Sequence, residues 1–322
     1  MKYGIRHHLA SNLPVRDSFI AFRNRRKLTG VDSDLVISKE INLGKPLCVG
    51  RLGGEESRYL GALNKNYSKN FIVRKLVKST LTKRRSNVSK LAGFYFSSEL
   101  EEEMFYDLYL ECLKETDILG IWGTAFAWFE SKGLSGSATA INLGATSPWV
   151  EPYPYSTNFK KGLLPWTLAL EGKKVLVISP FSKSIAEQYK HHKDLFIGVD
   201  LPIFELQTIT SPMTFSGHET NGISWFDNLN IMKSKMEDKV FDIALIGCGA
   251  YSFPLAAHAK NLGKQGVHCG GGLQLFFGIT GNRWQKSLYV SKYLNDRWIY
   301  PSASETPIGH SFIENSSYWK LN

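Results

Sequence analysis

Five short apolar runs, each broken by glycine, serine or proline, constrain the fold of this 322-residue chain more than any other feature. Leu47-Cys48-Val49 enters Gly50-Arg51-Leu52-Gly53-Gly54, and Ile118-Leu119-Gly120-Ile121-Trp122 enters Gly123-Thr124. Val175–Ile178 is followed by Ser179-Pro180-Phe181-Ser182, Ile243–Ile246 by Gly247-Cys248-Gly249, and Gly266-Val267-His268 by Gly270-Gly271-Gly272. Helical patterns fill the intervals. Strands that read as continuous apolar runs are buried on both faces, which is the condition of a parallel sheet covered by helices. The expectation is a doubly wound α/β fold with a mostly parallel sheet and helices on both faces. Such sheets bind ligands beyond the carboxyl ends of their strands, where these turns would meet in one cleft.

The charge is uneven. Lys and Arg number 39 against 29 Asp and Glu, and residues 57–98 hold ten basic residues with no acidic one. They are Arg58, Lys65, Lys69, Arg74, Lys75, Lys78, Lys83, Arg84, Arg85 and Lys90. Without them the chain is neutral. Ile72, Val73, Leu76, Val77 and Leu81 recur at helical spacing among these cations. The segment 72–85 therefore reads either as a helix with its apolar stripe on the core or as a basic amphipathic helix docking on anionic lipid. No recognition-helix or RNP-type aromatic pattern accompanies the charge, so nucleic acid is not an expected partner.

No apolar run approaches the roughly 20 residues of a membrane span; Ile118–Phe129 is the richest and contains Gly120, Gly123 and Thr124. Met1–His8 lacks the apolar core of a signal peptide. Cys48, Cys112, Cys248 and Cys269 form no CxxC pair, which suits free thiols in a reducing cytoplasm. Residues 1–45 read as an N-terminal helical arm and 46–322 as a single domain with the basic segment 57–98 inserted early. Residues 99–116 read as a helix whose acidic start, Glu101-Glu102-Glu103, favours its positive end.

Three turns carry candidate chemistry. Arg51-Leu52-Gly53-Gly54-Glu55-Glu56 sets an arginine and two carboxylates on a glycine-rich turn after a buried strand. Glycine allows close approach, arginine pairs with phosphate in two-pronged fashion, and a carboxylate holds a cation, a hydroxyl or a proton; the bland alternative is a surface Arg–Glu pair. Ser179-Pro180-Phe181-Ser182-Lys183-Ser184 offers hydroxyls and free amides at a helix start, which suit an anion or merely a serine cap. Gly247-Cys248-Gly249-Ala250-Tyr251-Ser252 either lets backbone amides approach a diphosphate, with Ser252 and Pro254 at the next helix, or is merely a tight strand–helix turn. A dinucleotide fingerprint needs a third glycine, here Ser252, and an acidic residue at the end of the next strand, here Val267-His268-Cys269. Both features are absent, which disfavours a dehydrogenase or a Rossmann-type methyltransferase. An aromatic segment between Pro148 and Trp166, with Glu151 among Trp149, Tyr153, Tyr155 and Phe159, suits either a sugar ring or core packing. A second such segment holds Arg283-Trp284, Trp298, Tyr300-Pro301 and Glu305-Thr306-Pro307.

In their order, these blocks resemble the GT-D-type glycosyltransferases of bacterial polysaccharide and glycoprotein clusters. The resemblance runs from about Pro46 to Trp319. It rests on Arg51-x-Gly53-x-x-Glu56, Glu151-Pro152-Tyr153 with Pro165-Trp166, Gly172–Phe181, Phe241–Tyr251, Gly263-Lys264, Gly270–Gly278 and Arg283-Trp284. It implies a Rossmann-like domain that moves a sugar from a nucleotide-sugar donor, most readily a UDP-sugar, to a glycan or lipid-linked acceptor. Such work suits a cytoplasmic protein peripheral to the inner face of the plasma membrane. Arg51, Gly53, Ser182, Lys183, Gly247, Gly249, Tyr251 and Ser252 would hold the nucleotide diphosphate, with Gly271, Gln274 and Arg283 lining the same cleft. Glu56 is the leading catalytic carboxylate, and Glu151 and Glu305 are the other two candidates. The family's Asp-x-Glu, associated with Mn or Mg, is Gly54-Glu55-Glu56 here. A lone Glu56 is a poor divalent-metal ligand unless the diphosphate completes the shell. The same departure leaves a non-catalytic sugar-nucleotide module as the alternative.

Overall fold

A computed structural model describes residues 33–66, 71–121, 138–142, 146, 148, 166–196, 201–215, 222–285, 287, 290–313 and 315–321. Seven strands form one sheet: β1 Leu47–Arg51, β2 Ile118–Ile121, β3 Thr139–Asn142, β4 Lys174–Ser179, β5 Glu205–Thr210, β6 Ile243–Ile246 and β7 Gln265–His268. Their order is β3-β2-β1-β7-β6-β4-β5, and every pairing is parallel. The doubly wound α/β expectation therefore holds.

Side chains alternate across this sheet into two cores. Cys48, Leu176, Ile178, Ala244 and Ile246 face one layer, and Val49, Val175, Val177, Leu245 and Val267 face the other. The first layer holds α2 (Gly54–Asn66), α3 (Phe71–Asn87), α4 (Glu99–Glu115), α6 (Trp225–Glu237) and α7 (Ser252–Asn261). The second holds α1 (Ser33–Leu43), α5 (Ser182–Tyr189), two short helices, α8 (Leu273–Phe276) and α9 (Asn282–Gln285), and the C-terminal segment. Ile37 and Ile41 of α1 are fully buried in that second core. The later part of the 1–45 arm is thus built into the domain; residues 1–32 lie outside the described residues.

The connections fix where a ligand can bind. After β4 the chain turns into α5 on one face, and after β6 it turns into α7 on the other. Adjacent strands whose crossovers leave to opposite faces open a crevice at their carboxyl ends. Here that crevice lies between the Ser179 and Gly247 turns and continues over the ends of β7 and β1.

The 99–116 helix forms as α4, and Ser98 caps it by accepting the Glu101 amide at 3.3 Å. Buried Glu102 on this helix accepts the Tyr59 hydroxyl and a two-pronged bond from Arg85 (2.8 and 2.6 Å), clamping α2, α3 and α4 together. The basic segment takes the core-packing option for part of its stripe: Val77 and Leu81 are buried, whereas Ile72 is 67% exposed. Val73, Arg74 and Leu76 side chains lie outside the described residues. Among the described residues no helix is long and apolar enough to cross a membrane.

Candidate functional site

The crevice is a cavity of about 420 Å³, within the size range of small-molecule sites. Arg51 and the Gly53–Glu56 turn line it from β1, the Gly247–Gly249 turn from β6, and His268 with Gly270 and Gly271 from β7. Gln274, Arg283 and Tyr318 close it from the C-terminal segment. Seven of the residues expected at a donor site, Arg51, Gly53, Gly247, Gly249, Gly271, Gln274 and Arg283, therefore meet there with Glu56, although they come from widely separated parts of the chain.

Arg51 ends β1 and reaches across the strand ends, donating to Thr146 Oγ1 at 3.2 Å and to the Cys269 carbonyl at 3.5 Å. Arg283 lies over the Tyr318 ring, its Cζ 5.7 Å from the centroid, and donates to the Tyr318 hydroxyl at 3.4 Å. Two oriented guanidiniums thus face one cavity, which favours an anionic ligand.

Glu56 sits in the first turn of α2, where the Gly53 carbonyl accepts the Ser57 amide at 3.0 Å. Its carboxylate folds back over Gly53, and a Cβ there would overlap Glu56 Oε2. Glycine at 53 is what lets the carboxylate occupy this place. Burial pushes the Glu56 carboxyl above the usual carboxylate range; its own amide and the Arg51 guanidinium oppose that shift. Neighbouring Glu55 is engaged elsewhere, by Arg58, by Asn87 Nδ2 at 3.1 Å and by Arg84 at 4.0 Å.

Gly249 adopts φ of 61°, and a Cβ would lie 2.6 Å from the Ala92 carbonyl. That carbonyl belongs to a π-helical turn, Val88–Ala92, that ends α3 and brings Leu91, Ala92 and Gly93 to the mouth of the cavity.

Several expected residues are placed elsewhere. Ser182 is buried, with its hydroxyl 2.5 Å from Thr210 Oγ1, and the Lys183 side chain is exposed outside the cavity. The anion at that helix start comes from the chain itself. Glu305 accepts the Lys183 amide at 2.8 Å, the Ser184 amide at 3.2 Å, the Ser184 hydroxyl and the Ser302 hydroxyl at 2.8 Å. Glu305 is thereby a buried structural carboxylate away from the cleft, a correction to its candidacy as a catalytic group. Tyr251 is buried with its ring stacked on Trp225, centroids 4.6 Å apart. Ser252 accepts the Cys248 amide at 2.8 Å and so braces the Gly247 turn from behind. Glu151 and its aromatic neighbours lie outside the described residues.

Sequence reasoning missed His268, Tyr318 and the Pro212–Phe215 wall after β5. A strand-end position pointed to His268, but a single histidine has no spacing to mark it.

Among the described residues no three His, Cys, Asp or Glu side chains group as a metal site. Glu56 stands alone beside a guanidinium and Glu55 is occupied, so these donors do not suit a divalent cation.

Compared with protein-family models, curated proteins and solved structures, the chain matches none.

Proposed function

We propose that the cleft binds a nucleotide sugar and transfers its sugar to a hydroxyl acceptor, as the GT-D resemblance implies. The observation that carries this reading is the convergence of Arg51, Arg283, Glu56 and the Gly247 and Gly270 turns in one cavity at the sheet's carboxyl edge. Arg51 and Arg283 bind the diphosphate and stabilise the charge that grows on it as the anomeric C–O bond breaks. The electron pair leaves with the diphosphate while the acceptor oxygen bonds to the anomeric carbon. The acceptor proton passes to Glu56, whose buried carboxylate has raised proton affinity.

The reading extends to the basic helix. The exposed Lys75, Lys78 and Lys83 of α3 are proposed to meet an anionic membrane surface on which a lipid-linked acceptor is presented. The π-helical turn that follows α3 lies at the cleft mouth, so such docking places the acceptor near the site.

The test is calorimetric binding of UDP-, GDP- and dTDP-sugars, followed by donor hydrolysis. Binding of one nucleotide class and loss of hydrolysis in Glu56→Gln are expected. Silence of all three, or undiminished hydrolysis in Glu56→Gln, removes the reading. Tight nucleotide binding without turnover on any acceptor favours the non-catalytic module.

A further inference from the structure

His268 ends β7 inside the cleft and is 5% exposed. Its Nδ1 lies 3.0 Å from the Arg51 carbonyl oxygen. A carbonyl only accepts, so Nδ1 carries the proton and Nε2 of the neutral ring is left with a lone pair. Nε2 makes no hydrogen bond to a described residue. Burial and the Arg51 guanidinium hold this imidazole well below its ordinary pKa, which keeps it neutral and the lone pair available.

A second acceptor lies nearby in the chain and lines the same cavity. Gln274 is 2% exposed, and its Nε2 donates to the carbonyls of Ile279 (3.3 Å), Thr280 (3.2 Å) and Tyr318 (3.3 Å). Those three carbonyls fix the amide, so its other atom is Oε1, and this buried oxygen has no partner among the described residues. The residues that line the cleft therefore carry two kinds of group. Arg51 and Arg283 offer only donors, whereas His268 Nε2 and Gln274 Oε1 offer only lone pairs. A phosphate oxygen against either acceptor would set lone pair against lone pair and strip its water without replacement.

We propose that His268 Nε2, with Gln274 lining the same cavity, forms a hydroxyl-reading subsite that takes O–H or N–H donors from the bound molecule and leaves its phosphates to Arg51 and Arg283. This deepens the nucleotide-sugar reading and rests on it for the identity of the molecule. The donor is either a sugar hydroxyl or a group of the nucleoside, and the two are separable by experiment.

The experiment is long-range 1H–15N correlation on histidine-labelled full-length protein at neutral pH, alone and with UDP or UDP-glucose. The free protein should show His268 protonated at Nδ1 and bare at Nε2. The Nε2 resonance should move upfield on binding. Movement with UDP alone assigns the nucleoside to the subsite, and movement only with UDP-glucose assigns the sugar. His268→Asn keeps a donor for the Arg51 carbonyl but removes Nε2, and should weaken binding of the responding ligand about tenfold. An Nε2–H tautomer in the free protein overturns the proposal. So does an unmoved Nε2 with calorimetrically verified binding, which leaves the nucleotide reading intact. If no nucleotide binds, that reading falls separately, and glucose, which offers the same hydroxyls, decides the subsite: an unmoved Nε2 overturns it.

Discussion

Glu305 closes the amino end of α5 by accepting both the amide and the hydroxyl of Ser184, 121 residues earlier in the chain. The turn after β4 has the residues of an anion site, and its anion is internal. Replacing Glu305 by Ala leaves the amides of Lys183 and Ser184 and the hydroxyls of Ser184 and Ser302 without their acceptor. Buried donors of this kind cost about 1–3 kcal/mol each when unmade, and relaxation shares the loss. Glu305→Ala is expected to lose about 3 kcal/mol in urea unfolding. Folded Glu305→Ala should bind nucleotide like the parent, because Glu305 does not line the cleft.

Glu56 gives the opposite result. Its folded-state pKa is raised by burial, so the folded protein binds the proton more tightly than the unfolded chain. For such a group the stability contribution is largest below the ordinary carboxylate pKa and is lost as pH rises through the folded value. Glu56→Gln removes the cost of ionising a buried carboxyl. It should raise Tm at pH 7 by about 2–4 °C, corresponding to about 1 kcal/mol, and remove the loss of stability as pH rises above the ordinary carboxylate range. Turnover should disappear in the same protein. Gly53→Ala should reproduce the loss of turnover, since its Cβ takes the space of Glu56 Oε2. Thermal scans at four pH values, beside donor hydrolysis, check both.

His268 governs the acid side with the reverse sign. Its folded pKa lies below the ordinary imidazole value, with burial the first cause and Arg51 the second. The unfolded chain therefore takes up the proton first as pH falls. Stability is fully present above about pH 6.5 and declines below it, toward the depressed folded pKa. His268→Asn should remove this part of the decline, and chemical denaturation from pH 7 to pH 5 measures it. A parent and variant with parallel curves would place the acid sensitivity elsewhere.

The sheet was legible where strands are buried on both faces. β1, β2, β4 and β6 appear in the sequence as short, largely apolar runs because helices cover both sides, and β7 shows only through Gly266-Val267 before the Gly270 turn. The edge strands β3 and β5 do not. In β5, Glu205, Gln207 and Thr210 interrupt the apolar pattern because an edge strand retains access to water. The site divides the same way. Arg51, Glu56 and the Gly247 turn follow legible strands, and they do line the cleft. Ser182 and Lys183 lie outside the cleft for a reason no local pattern contains: a carboxylate more than 120 residues away takes the amides of Lys183 and Ser184, and the Ser182 hydroxyl is paired with Thr210. The acceptor atoms were equally hidden, since they depend on which atoms of His268 and Gln274 are already used.

The charge of α3 makes a final prediction about the membrane-docking proposal. Arg85 is committed to Glu102, and Arg84 stands behind Glu55, so reversing either disturbs the packing of α2, α3 and α4. Lys75, Lys78 and Lys83 are exposed and carry the solvent-facing charge, with Ile72 exposed at the opposite end of the helix from the cleft. Each lysine near an anionic surface contributes about 1 kcal/mol, so neutralising all three to Gln should weaken binding to phosphatidylserine-containing liposomes about a hundredfold. Salt should weaken the parent in the same direction, because the attraction falls off within a Debye length. Soluble nucleotide binding should be unaffected, since none of the three lysines lines the cavity. Equal sedimentation of parent and triple variant with liposomes would assign these charges to solvation alone.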